Sequence, residues 1–150
     1  MSAEVSASSW QPWLVWALLS AVFAALTAIF AKIGLEGVDS DYATLVRTAV
    51  IIVVLGVFVA WSGKWRNPAT LTARSGLFLV LSGVATGASW VCYFRALKVG
   101  EATRVAPIDK LSVVLVAIFA VIVLGERPSL REWLGILSIA FGAVLLSLKN

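Results

Sequence analysis

The sequence predicts an all-α integral membrane protein, a bundle of five transmembrane helices. Three observations predict it. Hydrophobic residues fill 61% of the 150 positions and charged residues only 13%, where a soluble domain carries about 25% charged residues. The apolar residues gather in runs of roughly 20, the length that crosses a hydrocarbon core about 30 Å thick. Between the runs lie short polar loops, with no stretch long enough to fold as a soluble domain.

The first span runs from Trp13 to Ile33 and is followed by Gly34. No Lys or Arg precedes it in Met1 to Gln11, so it reads as an uncleaved helix rather than a secretory signal, which needs a basic start and a shorter apolar run. Residues 1–12 are a short segment ahead of a single domain, 13–148. The second span, Ala43 to Ser62, follows Asp39, Ser40 and Asp41 and ends at Gly63. The third runs from Gly76 to Leu97 before Gly100, the fourth from Val105 to Leu124 before Gly125. Each of these four glycines is expected to close its helix in the left-handed conformation. The fifth span, Leu130 to Leu148, opens with Ser129 three residues before Glu132, a capping box, after Pro128 has barred continuation of the fourth.

The tryptophans support the count. Trp10, Trp13, Trp16, Trp61, Trp65 and Trp133 fall on one membrane face if there are five crossings, and indoles favour the headgroup level. That face also carries Lys64, Arg66, Arg74, Arg127 and Arg131; the other has Lys32, Lys98, Arg104 and Lys149. The small excess places the N-terminus in the cytoplasm and the chain in the cell membrane, and so even a distribution also permits insertion both ways.

Charges within spans are the informative residues, because each is costly in lipid unless paired or hydrated. Arg47 in span two and Asp109 with Lys110 in span four lie at similar depth, all in the half opposite the tryptophans, with Lys32 and Arg95 nearer the helix ends. Together these five form the candidate substrate-binding and transport site, a polar vestibule with a slight positive excess. Adjacent Asp109 and Lys110 point about 100° apart, so each is expected to seek a partner elsewhere. Arg47 or Arg95 could serve Asp109, and Lys32 could reach Glu36. Lys32 and Arg95 also fit plain snorkelling to the headgroups.

Gly83 and Gly87 in span three, Gly135 and Gly142 in span five, and the face Ala17, Ala21, Ala24, Ala28 and Ala31 in span one are small-residue contacts. They are expected to pack within the bundle, with dimer contact as the alternative. Pro107 reads as a first-turn proline that could leave a carbonyl free, Glu126 as a loop residue, and Cys92 as a small buried hydrophobe. The +4 net charge is scattered and makes no nucleic-acid stripe. The sequence holds no histidine, no metal-ligand spacing, no nucleophile elbow and no phosphate loop, so no catalytic residue, metal or cofactor is expected.

The stretch SWVCYFRALKVGEATRV from Ser89 to Val105, followed by APIDKLSVV, resembles the third-to-fourth helix region of EamA-type proteins of the drug/metabolite transporter superfamily. So do Ala31 to Leu35, the early arginine at Arg47, and the Gly125–Glu126 turn before a glycine-rich last helix. The resemblance extends from Trp13 to Leu148. It implies a transporter of small metabolites or drug-like solutes, not an enzyme. Typical members have ten helices in two inverted five-helix repeats, so this chain would be half of that fold. It would need a second copy or a homologous partner, as a homodimer or a heterodimer. An odd number of spans fits, since a tandem copy would be inverted. The small multidrug-resistance relatives use a glutamate in the first helix, and here no acidic residue precedes Glu36 within that span. The competing reading is a non-transporting membrane subunit with a structural or regulatory role.

Overall fold

The computed structural model describes residues 12–148. Among these the regular structure is helical, and five helical stretches are long and apolar enough to cross a membrane. Helix α1 is Pro12–Gly34, α2 is Ser40–Trp61 and α3 is Ala73–Val99. The fourth stretch, Ala102–Leu124, is made of α4 (Ala102–Asp109), α5 (Ser112–Phe119) and a wider π turn, Ala120–Leu124. Helix α6 is Leu130–Ser147.

Helices α2 and α3 start three residues earlier than hydropathy predicts, because polar residues cap them. The Asp39 side chain accepts hydrogen bonds from the backbone N–H groups of Asp41 and Tyr42, so α2 begins at Ser40. Thr72 does the same for α3 through Ser75. The expected capping box is formed: the Ser129 backbone N–H donates to Glu132 Oε2 at 2.6 Å, and the Glu132 N–H donates to Ser129 Oγ at 3.4 Å.

Two of the four expected glycine caps are corrected. Gly63 and Gly125 take the left-handed conformation, with φ of 65° and 70°. Gly34 remains the last residue of α1, and the left-handed residue after it is Gly37. Gly100 is extended, φ −109° and ψ 165°. Its lack of a side chain serves close approach instead, since a Cβ there would lie 2.8 Å from Val105 Cγ2.

The largest departure from expectation is the break in the fourth span. Pro107 lies inside α4, not in a first turn. It has no N–H to give Thr103 and crowds that carbonyl. Beyond it the chain tightens: the N–H groups of Lys110, Leu111, Val113 and Val114 each donate to the carbonyl three residues back, at 3.0 Å. Such a mid-helix tightening is poorer in hydrogen-bond geometry than an α-helix, which makes it a weak point in the span.

The main packing sets α2 against α3, α4 against α3 and α6, and α1 against α3 and α4, while α5 rests on α6. The core is small. Leu35, Phe94 and Leu97 are buried together, with Ala31, Ala43, Tyr93, Ala102 and Val105 packed around them. These residues come from the end of α1, the start of α2, the end of α3 and the start of α4. The core therefore sits at the end of the bundle opposite the tryptophans. Trp13 and Trp16 begin α1, Trp61 ends α2, Trp65 follows it and Trp133 opens α6; Trp10 and Lys149 lie outside the described residues.

The glycines expected at helix contacts make no close approach among the described residues. A Cβ added at Gly83, Gly87, Gly135 or Gly142 would meet nothing within 4 Å. Cys92 is exposed rather than buried.

Candidate functional site

Arg47 is seven residues into α2 and Asp109 seven residues into α4, so each lies about 10 Å from its helix start at 1.5 Å per residue. Both starts are at the same end of the bundle. Arg47, Asp109 and Lys110 therefore reach the same level, and they line one cavity of about 210 Å³. Its other walls are Ala24 and Thr27 of α1 and Ser89, Trp90 and Tyr93 of α3. Most of this lining is polar, which inside a membrane span marks a place for water or solute.

The charges are not paired as the sequence suggested. Asp109 Oδ2 is 3.5 Å from Lys110 Nζ, a contact between neighbours that the break in the helix allows. An unbroken helix would point the two side chains apart. The Arg47 guanidinium carbon sits over the Trp90 ring, 4.2 Å from its centroid, and 5.2 Å from that of Phe94. An arginine over an indole gains cation–π attraction and keeps its N–H fork for a further partner.

Three grooves meet this cavity. One of about 490 Å³ lies between α1 and α2, shares Thr27 and Arg47 with it, and is walled by Phe30, Tyr42, Val46 and Phe94. One of about 480 Å³ runs along the alanine face of α1 from Ala17 to Ala28 and meets Tyr93, Pro107 and Lys110. A third, about 380 Å³, lies between α3, α4 and α6 and contains Cys92 and Asp109. The alanine face thus mostly lines an open groove. That groove leads from the break in the fourth span toward the tryptophan end.

Lys32 and Arg95 are not part of the cavity. Lys32 does not bond Glu36. Its Nζ donates to the carbonyls of Leu97 at 2.7 Å and Gly100 at 2.8 Å, at the end of α3. Lys98 makes the reciprocal bonds, to the carbonyls of Leu35 at 2.6 Å and Val38 at 2.7 Å, just past the end of α1. Each lysine bonds carbonyls at the C-terminal end of the other helix, where acceptors are left over and the dipole is negative; the Leu35 carbonyl also accepts the Val38 N–H at 3.3 Å. Arg95 does not serve Asp109. It forms a two-pronged pair with Asp41 of α2, 2.9 Å to Oδ1 and 2.6 Å to Oδ2. These three side chains tie α1, α2 and α3 together at the end opposite the tryptophans.

Sequence reasoning missed Lys98, Trp90, Tyr93 and Phe94. A signal for each exists. Lys32 and Lys98 both stand in the last turn of a helix, where cations are favoured. Trp90, Tyr93 and Phe94 have the 3- and 4-residue spacing of one helical face.

The sequence profile of the EamA-like transporter family matches residues 11–148. The chain belongs to this family. A protein of Sinorhizobium sp. named "Uncharacterized transporter in cobO 3'region" is 59% identical over 137 residues, which are 91% of this chain and 97% of that protein. A protein of Proteus mirabilis named "Probable 4-amino-4-deoxy-L-arabinose-phosphoundecaprenol flippase subunit ArnE" is 25% identical over 88 residues, 58% of this chain and 78% of that one. The "Uncharacterized transporter YxxF" of Bacillus subtilis is 25% identical over 133 residues, 88% of this chain but 41% of its own length. No solved structure matches. The family and the five apolar stretches together make this a multi-pass membrane protein of a transporter family.

Proposed function

We propose that the chain carries a small organic solute across the cell membrane as one half of a paired unit, binding it beside Arg47, Asp109 and Lys110 and releasing it unchanged. The observation that carries this reading is the polar cavity at a break in the fourth span. Broken helices with charged residues at the break are how many transporters hold a solute away from lipid. Lys32, Lys98 and Arg95 act as the closure on one face, and the alanine groove as the path to the other. With the N-terminus in the cytoplasm, this conformation faces the cytoplasm.

The partner is a second five-helix unit in inverted orientation, either another copy or a homologue. The glycines of α3 and α6, with open space beside them, offer close contact to it. The Bacillus subtilis relative supports a paired architecture, since the match occupies less than half of its length. The word "subunit" in the Proteus mirabilis name favours a second reading, in which the chain assists a different membrane protein and carries nothing itself.

Proteoliposomes holding the purified chain, assayed with a panel of radiolabelled metabolites, separate the two. Uptake that falls at least tenfold in Asp109→Asn and stays near normal in Arg131→Gln, a substitution outside the cavity, is the expected result. Transport that tolerates both substitutions equally would remove the site. No transport, alone or with any homologous partner, would leave the subunit reading.

A further inference from the structure

Arg47 makes no hydrogen bond and no ion pair among the described residues. Arg47 is half-buried, with its guanidinium beside Trp90 and Phe94, neither of which has a side-chain oxygen to accept from it. Asp109, the acidic side chain of the cavity, is in contact with Lys110. The cavity therefore holds two cations and one anion. An arginine without a counter-charge within a span is costly, and a bound anion would offset that cost. A planar fork with free N–H groups matches a carboxylate or phosphate in a two-pronged bond.

The surroundings define the rest of the ligand. Arg47 stands on the boundary between two spaces, since it lines both the polar cavity and the larger groove between α1 and α2. Around that groove are Phe30, Ala31, Val38, Val46 and Phe94, with Tyr42 as a polar tip. Its volume of about 490 Å³ suits a body of medium chain length, within the usual range for small-molecule sites of about 300–1,000 Å³. A cation would be repelled by the net charge, and a small inorganic anion would leave the apolar groove unused.

We infer that the ligand is an amphiphilic oxyanion, with its carboxylate or phosphate on Arg47 and its apolar body in the groove between α1 and α2. This rests on the transport reading for its biological meaning, and on geometry alone for binding. The same head chemistry could come from a soluble amphiphile or from an anionic lipid.

The test is equilibrium binding of radiolabelled octanoate to the full chain in phosphatidylcholine nanodiscs, with empty nanodiscs subtracted. Competition by octyl phosphate but not by octylammonium is expected, with inorganic phosphate competing at least tenfold more weakly. Arg47→Met should weaken binding about tenfold or more, the loss of a two-pronged charged bond. Arg47→Lys keeps the charge without the fork, so an intermediate loss is expected even if the Met variant does not fold. Added phosphatidic acid that displaces octanoate would make the source a lipid, and failure to displace would make it a soluble amphiphile; either agrees with the inference. Octylammonium competing as well as octyl phosphate, or binding unchanged in both Arg47 variants, would overturn it. Transport of neutral or cationic solutes without octanoate binding would overturn the ligand class and leave the transport reading standing. Octanoate binding without any transport would do the reverse.

Discussion

The two ends of the bundle are built differently. At the end opposite the tryptophans, Leu97 is fully buried, Leu35 and Phe94 are 3% exposed, and lysines cross between helices. Toward the tryptophan end, no residue from Leu45 to Tyr93 is buried, although this stretch includes most of α2 and α3. The first end is held by packing and charged hydrogen bonds. The second buries only the small Ala117 and Ala120, in α5 and the π turn, and otherwise presents apolar faces to whatever surrounds them. In lipid such exposure carries no penalty of its own, because hydrocarbon is as apolar as leucine. The closed end is where most large side chains are packed between helices.

Substitution in the packed core should break this contrast most. Leu97→Ala leaves a cavity and is expected to cost about 2–5 kcal/mol. Leu81→Ala, on the half-exposed face of α3, should cost far less. Reversible unfolding in mixed micelles measures both. Similar losses would mean that the two ends are equally held.

Removing the crossed lysines comes next. Each of Lys32→Met and Lys98→Met gives up two bonds to backbone carbonyls, and about 1.5–3 kcal/mol is expected from each variant, the range for a charged hydrogen bond. The same unfolding measurement applies. Losses under half a kcal/mol would show that water or lipid headgroups replace the lysines.

The smallest effect compares two glycines at this end. Gly100→Ala places a methyl group 2.8 Å from Val105 Cγ2 and 3.0 Å from the Ala96 carbonyl, an overpacking expected to cost about 1–3 kcal/mol. Gly34 is the last helical residue of α1 and faces open space, so Gly34→Ala should stabilise by about 0.5 kcal/mol or less, part of the helix-interior difference in propensity. Thermal unfolding of the two variants should therefore shift in opposite directions.

The spans were legible because bilayer thickness dictates their length and their composition follows. The Ser129–Glu132 capping box was legible for the same local reason, since it needs only two residues at fixed spacing. The level shared by Arg47 and Asp109 could be read from distance along each helix. What could not be read was direction around the helix axis. Arg47 was free to meet Asp109, yet it turns to Trp90, and Arg95 turns outward to Asp41. The break at Lys110 was hidden because hydropathy does not change across it; only Pro107 hinted at it, and a proline near a helix start is normally harmless. The glycine caps show the same limit. Gly34 and Gly37 are equally good closers by sequence, and only Gly37 takes the left-handed conformation.

The most direct test of one open and one closed end is thiol accessibility in sealed vesicles. A Cys92→Ser background carries Ala21→Cys, in the alanine groove, together with a reference cysteine at Lys64 in the loop after α2. An impermeant reagent should label Ala21→Cys from the same side as the reference position, whichever way each molecule is inserted. Adding Lys32→Met and Lys98→Met should open a second route, from the opposite side. Labelling of Ala21→Cys only from the side opposite the reference, with the lysines intact, would contradict the account.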